Sequence, residues 1–223
     1  MYIALVLHEK KINNGLWKEA WQEYNFRSKL ISGLFILIVL LAIMPSYFQF
    51  IENRDGLEIN DWVLNAIPAW NASLPIFIII WLTAALALIN AFKNPDMFIL
   101  LLWSFIFLTI SRLFTIYLVP LNPPNQLIAL VDPISNRFYG NSFVTKDLFY
   151  SGHTSTQFLF FLCFKNKILK TLALIATITI GTLVLVQHVH YTVDVVSAPF
   201  FTYLVFKIAN SWLSPVFVSE RAA

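Results

Sequence analysis

Long apolar runs separated by short polar breaks dominate the chain. A membrane core about 30 Å thick needs roughly 20 mainly apolar residues per helix. Runs from Leu30 to Phe50, Leu74 to Phe92, Met97 to Val119, Ile168 to Val186 and Tyr191 to Leu213 meet that length. A weaker run, Leu148 to Phe164, is interrupted by Ser151-Gly152-His153. The pattern predicts an all-α, polytopic membrane bundle of six transmembrane helices. Short breaks at Lys93 to Asp96, Lys165 to Lys167 and Gln187 to His190 predict antiparallel neighbours. Residues 1–29 are expected to form a cytoplasmic N-terminal segment, 30–213 the membrane domain and 214–223 a short cytoplasmic tail. Trp17, Trp21 and Tyr24 recur at helical spacing among charges, which predicts a short interfacial amphipathic helix before the first span.

Composition agrees with this pattern. Hydrophobic residues make up 58% and charged residues 12% of the 223, against about 25% charged in a soluble domain. MYIALVL has no basic start or small-residue cleavage site, so membrane insertion is expected to depend on the internal spans. The one cysteine, Cys163, lies in an apolar run and reads as a buried thiol. A net charge of +3 does not point to nucleic acid, because no basic cluster accompanies an aromatic platform.

The cations sort by side instead. Lys10, Lys11, Lys18, Arg27 and Lys29 share a side with Lys93, Lys165, Lys167, Lys170, Lys207 and Arg221 if the spans number six. Only Arg54, Arg112, Arg137 and Lys146 fall on the other. Positive loops face the cytoplasm, so both termini are expected there, with the loops at Ile51, Pro120 and Gln187 extracytoplasmic.

Ionisable groups inside apolar spans are costly and mark function by default. Here they are Arg112, His153, His190 and Asp194. At 1.5 Å per residue, Arg112, His153 and His190 lie about 22, 18 and 25 Å from the cationic ends of their spans. Three helices therefore bring polar groups to similar depth. In His190-Tyr191-Thr192-Val193-Asp194, the histidine and the carboxylate are i and i+4 on one face. Such a carboxylate can orient an imidazole and raise its basicity, making it a nucleophile or base. Ser151-Gly152-His153 opens a helix, whose N-terminus favours an anion. Arg112 would add bidentate pairing to phosphate oxygens. His188 reads as a loop histidine, while Lys146 and Arg137 read as exposed cations able to attract anionic headgroups. Asn71-Ala72-Ser73 fits a glycosylation acceptor but abuts a span.

Ser151-Gly152-His153-Thr154 and His190-Tyr191-Thr192-Val193-Asp194-Val195 resemble the two signature motifs of the sphingomyelin synthases. That family is the lipid phosphotransferase branch of the type 2 phosphatidic acid phosphatase superfamily. Thr145-Lys146-Asp147-Leu148-Phe149-Tyr150 matches the family's lead-in at Asp147, without its Cys and Gly. Arg112 to Tyr117, followed by Pro120-Leu121-Asn122-Pro123-Pro124, is similar to its Arg-to-Tyr segment and Pro-rich turn. Leu183 and Val184 stand where phosphatase members carry Ser and Arg.

The resemblance implies transfer of a phospho-headgroup from a phospholipid donor to a lipid alcohol acceptor such as ceramide or diacylglycerol, through a phosphohistidine, with no metal or cofactor. It implies that His153, His190 and Asp194 are catalytic and that Arg112, Ser151 and Gly152 bind phosphate. It implies Asp147, Tyr117 and Tyr191 as further candidates for substrate contact. A lipid phosphate phosphatase using water at the same site is the alternative. A channel or transporter with zinc on His153, His188, His190 and Asp194 is a third reading. The compact chain favours a bacterial inner membrane over a Golgi or plasma membrane, with the site extracytoplasmic.

Overall fold

The structure is a computed structural model and describes residues 15–130 and 144–217. Lys10, Lys11, Arg137 and Arg221, which enter the charge pattern, lie outside the described residues. Helical turns over residues 15–22 (α1) precede α2 (Tyr24–Glu52), a short α3 (Trp62–Asn65), α4 (Ser73–Lys93), α5 (Pro95–Leu118), α6 (Gly152–Cys163), α7 (Lys167–Val186) and α8 (Thr192–Leu213). Among the described residues there are no strands, only one isolated parallel bridge between Leu57 and Leu121.

Helices α2, α4, α5, α7 and α8 are long and apolar enough to cross a membrane. The chain is an integral membrane protein. Helix α6 differs: its 12 residues rise about 18 Å, short of a full crossing. Leu148 to Tyr150, expected at the start of that helix, are not helical.

The helix boundaries follow local chemistry. Asn94 accepts from the amides of Asp96 and Met97 (2.9 and 3.2 Å) and is followed by Pro95 at the first helical position, so only Asn94 separates α4 from α5. Asn166 caps α7 through Ile168 and Leu169. Asp61 caps α3 through Val63 and Leu64.

Helix α5 is the most buried of the long helices, packing on α2, α4, α6 and α8. Over its most apolar window 56% is buried, against 11% for α2, which leaves most of α2's apolar surface facing outward. The main core runs along α5 with Leu159, Phe160 and Cys163 of α6 and Ala198, Val205 and Ala209 of α8.

One end of the bundle is closed by aromatic rings. Trp103 and Trp212 meet edge to face at 4.6 Å. Trp103 donates to the Lys29 carbonyl at 3.0 Å, and the Lys29 ammonium lies 4.0 Å over the Trp212 ring. The amphipathic segment also joins this end. Trp17 faces into the protein, against Phe26 and Phe98, and donates to the Phe92 carbonyl at 2.8 Å. Trp21 is exposed; Tyr24, expected on the same short helix, is exposed too but opens α2, because the chain leaves the helix at Glu23.

Candidate active site

The opposite end is polar, and the starts of α6 and α8 meet there. The Ser151 amide donates to the Asp194 carbonyl at 3.0 Å, joining the first residues of the two helices. His153 and His190, one at each start, have ring centroids 6.1 Å apart.

Asp194 sits at the third position of α8 and reaches back to accept from the Tyr191 amide at 2.9 Å, as an acidic residue does there in a capping box. The same oxygen, Oδ2, lies 3.5 Å from His190 Nδ1. That is ion-pair range but too long for a hydrogen bond. The bond expected between this pair is therefore not made here, and His190 Nδ1 and Asp194 Oδ1 are both buried without a hydrogen-bond partner. Catalytic hydrogen bonds often lengthen without substrate. With Nδ1 facing the carboxylate, Nε2 is the nitrogen left for chemistry.

Arg112 comes from the far end of α5. Its Nε donates to the Tyr150 carbonyl at 2.9 Å, and an Nη pairs with Asp147 Oδ1 at 2.6 Å. A Cβ on Gly152 would fall inside the Arg112 guanidinium. The glycine thus leaves room for the arginine, which packs directly on the α6 N-terminus. Asp147, expected as a substrate contact, serves as the arginine's partner.

Other expected contacts have structural partners. The buried Ser151 hydroxyl takes the amide (3.4 Å) and the hydroxyl (3.2 Å) of Thr154, so it acts as a helix cap. The buried Tyr191 hydroxyl accepts from the Ile59 amide (3.3 Å) and donates to the Asn122 carbonyl (3.0 Å). Tyr117 is exposed and stacks on Phe50. The Lys146 ammonium donates to the Arg54 carbonyl, while Arg54 donates to the carbonyls of Tyr117 and Ile116 at 2.6 and 2.7 Å. These two cations are thus bound to backbone.

His188 has φ 55°, in the left-handed region uncommon for a side-chain residue. Its ring nitrogens face the carbonyls of Asn125 (3.1 Å) and Ile67 (2.9 Å). It is therefore drawn away from His153, His190 and Asp194, and the four-residue zinc set is not assembled. Among the described residues no three His, Cys, Asp or Glu side chains are gathered as a metal site would need.

Two residues gave little sign in the sequence. Buried Gln187 accepts from the Ala72 amide (3.0 Å) and donates to the Ser73 hydroxyl (2.8 Å). This engages the serine of Asn71-Ala72-Ser73, where Asn71 Oδ1 also takes the Ser73 amide. Asp61 accepts from the Thr192 amide at 2.6 Å and its hydroxyl at 3.0 Å. Burial works to raise the Asp61 carboxyl, but the hydrogen bonds from Thr192, Leu64 and Val63 outweigh it and hold it below the usual carboxylate range. An aspartate before an apolar run is legible as a cap; its second grip, on a helix 131 residues on, is not.

Residues 146–211 match the family described as PAP2 superfamily C-terminal. The match supports the type 2 phosphatidic acid phosphatase superfamily. Members of that superfamily are phosphatases and phosphotransferases. The matched segment holds Asp147, Ser151, Gly152, His153, His190 and Asp194, while Arg112 and Asp61 lie before it. No curated protein matched the chain.

Proposed function

We propose that the protein is a lipid phosphotransferase of the sphingomyelin synthase kind. It would move a phospho-headgroup from a phospholipid to a lipid alcohol such as ceramide or diacylglycerol. The carrying observation is the 6.1 Å separation of the His153 and His190 rings. A hydrogen-bonding or attacking reach of about 3 Å from each lets one phosphoryl group meet both.

In the first step His190 Nε2 attacks phosphorus, the bond to the diacylglycerol oxygen breaks, and His153 supplies the proton that oxygen takes. Asp194 stabilises the charge on His190 as Nε2 becomes bonded. In the second step His153 takes the proton of the acceptor hydroxyl, whose oxygen attacks phosphorus as the N–P bond breaks. Arg112, held flat by Tyr150 and Asp147, and the opening turn of α6 lower the cost of the phosphoryl oxygens' charge. Neither step calls for a metal ion.

We read α6, together with the non-helical Leu148 to Ser151 segment that leads into it, as a sixth crossing; both termini would then be cytoplasmic and this site extracytoplasmic. The phosphatase reading uses the same residues with water in place of the lipid alcohol, and the superfamily match supports both. Purified protein given phospholipid with and without ceramide or diacylglycerol separates them. A new phospholipid that appears only with acceptor supports transfer. Free phosphate or phospho-headgroup regardless of acceptor supports hydrolysis. Turnover surviving in His190→Ala would remove the phosphohistidine.

A further inference from the structure

The His190–Asp194 contact is too long to orient the imidazole by itself, so the ring's place depends on the backbone at each side of it. That backbone is gripped on both sides by loop segments. Before it, His188 faces the carbonyls of Ile67 and Asn125. After it, the Tyr191 hydroxyl bridges Ile59 and Asn122, and Thr192 is held by Asp61. Only the last of these grips is made by a carboxylate.

We propose that Asp61 is a positioning residue for His190. Its two oxygens divide the work. Oδ1 caps α3 through the Val63 and Leu64 amides and also takes the Thr192 hydroxyl, while Oδ2 takes the Thr192 amide. Bonds to a charged acceptor are about twice as strong as neutral ones, and an anion at the start of α8 is favoured by that helix's dipole. Asp61 thereby fixes the first residue of α8 to the loop before α4 and sets where His190, two residues earlier, presents its ring. Its Oδ2 contact would be lost to a side chain with one acceptor. This inference rests on His190 as the nucleophile.

The test uses the full chain in detergent micelles containing phosphatidylcholine, phosphatidylethanolamine and phosphatidic acid, with ceramide added. Diacylglycerol and inorganic phosphate are both measured, so transfer and hydrolysis both register. Asp61→Ala is expected to lower kcat about a hundredfold, the cost of a misplaced reacting group, with KM within about twofold. Asp61→Asn, which keeps one acceptor, and Thr192→Val, which loses only the hydroxyl, should lose less. Asp61→Ala with Thr192→Val should lose no more than Asp61→Ala alone, because they share one bond.

A wild-type kcat in Asp61→Ala, or a loss confined to the unfolding temperature, overturns the proposal. If Asp61→Ala does not fold, wild-type kcat in both Asp61→Asn and Thr192→Val overturns it. Hydrogen exchange over residues 191–195 reads the grip without substrate: faster exchange in the Asp61 variants is expected, and unchanged exchange overturns the proposal even where no turnover is seen. Activity in His190→Ala would instead sink the nucleophile reading, a result independent of the exchange arm.

Discussion

The two ends of the bundle are held by different forces. At the tryptophan end, Trp17, Trp103 and Trp212 pack against Phe26, Phe98 and Phe107, and Trp17 and Trp103 each donate to one carbonyl. At the histidine end, small apolar clusters such as Leu64, Leu121, Leu148 and Tyr191 are joined by carboxylates, a guanidinium and amide groups: Asp61 on Thr192, Asp147 on Arg112, Gln187 on Ala72 and Ser73, and Glu52 on the Thr145 and Lys146 amides at 3.0 and 3.2 Å. Ring packing tolerates some sliding, whereas hydrogen bonds lose strength over a few tenths of an ångström. The end that needs fixed angles is the one built from directional bonds.

Substitutions should separate the two ends, and the largest effect belongs to the nucleophile. His190→Ala should cut turnover at least about a thousandfold with little change in unfolding temperature; lipid product analysis checks this. Arg112→Lys should lose about a hundredfold, because a point charge cannot hold Tyr150, Asp147 and a phosphate together. Gly152→Ala should behave like a milder Arg112 variant, down on the order of tenfold, because the added carbon displaces the guanidinium. If it keeps full rate, the arginine's seat on α6 is not what matters.

At the other end the signs should reverse. Trp103→Ala should cost about 3 kcal/mol of stability and leave kcat of the folded fraction unchanged, as read by denaturation beside an assay. A large kcat loss there would mean the two ends are coupled through α5.

The smallest effect is acidic. The Asp61 carboxyl titrates lower in the folded chain than its ordinary value, about 3.9. Its contribution to stability is therefore complete above that ordinary value and is lost as pH falls through the lower folded one. Unfolding of wild type and Asp61→Asn should differ most near neutral pH and converge below about pH 4. A gap that widens on acidification would contradict the assignment.

Helix positions were readable because the membrane demands length. Apolar runs of about 20 residues located α2, α4, α5, α7 and α8 to within a turn at most sites. The departure at α2, which starts at Tyr24 rather than Leu30, arises because Phe26 and Leu30 find a protein surface to bury against. Helix α6 was harder, since Leu148 to Tyr150 are apolar enough to continue a span. They instead run outside the helix to bring the Tyr150 carbonyl to Arg112 and the Tyr150 ring onto Phe201 at 4.7 Å.

The candidate site was legible as chemistry and not as assembly. His153, His190, Asp194 and Arg112 stand out because ionisable groups are expensive among apolar ones, and helical rise along the runs places Arg112, His153 and His190 at similar depth. The resemblance assigns Ser151 to phosphate binding and Tyr117 and Tyr191 to substrate contact. Their partners are the protein's own Thr154, Phe50, Ile59 and Asn122.

The order of apolar and polar residues thus determined by itself that this chain enters a membrane as helices, and which few charged groups it carries in with them. Periodicity along one chain contains no distance between chain segments. Which side chain takes Gly152's empty place, where His188 turns, and that Asp61 grips the helix behind His190 were decided only when the loops closed over the bundle, where most buried polar groups pair within about 3 Å.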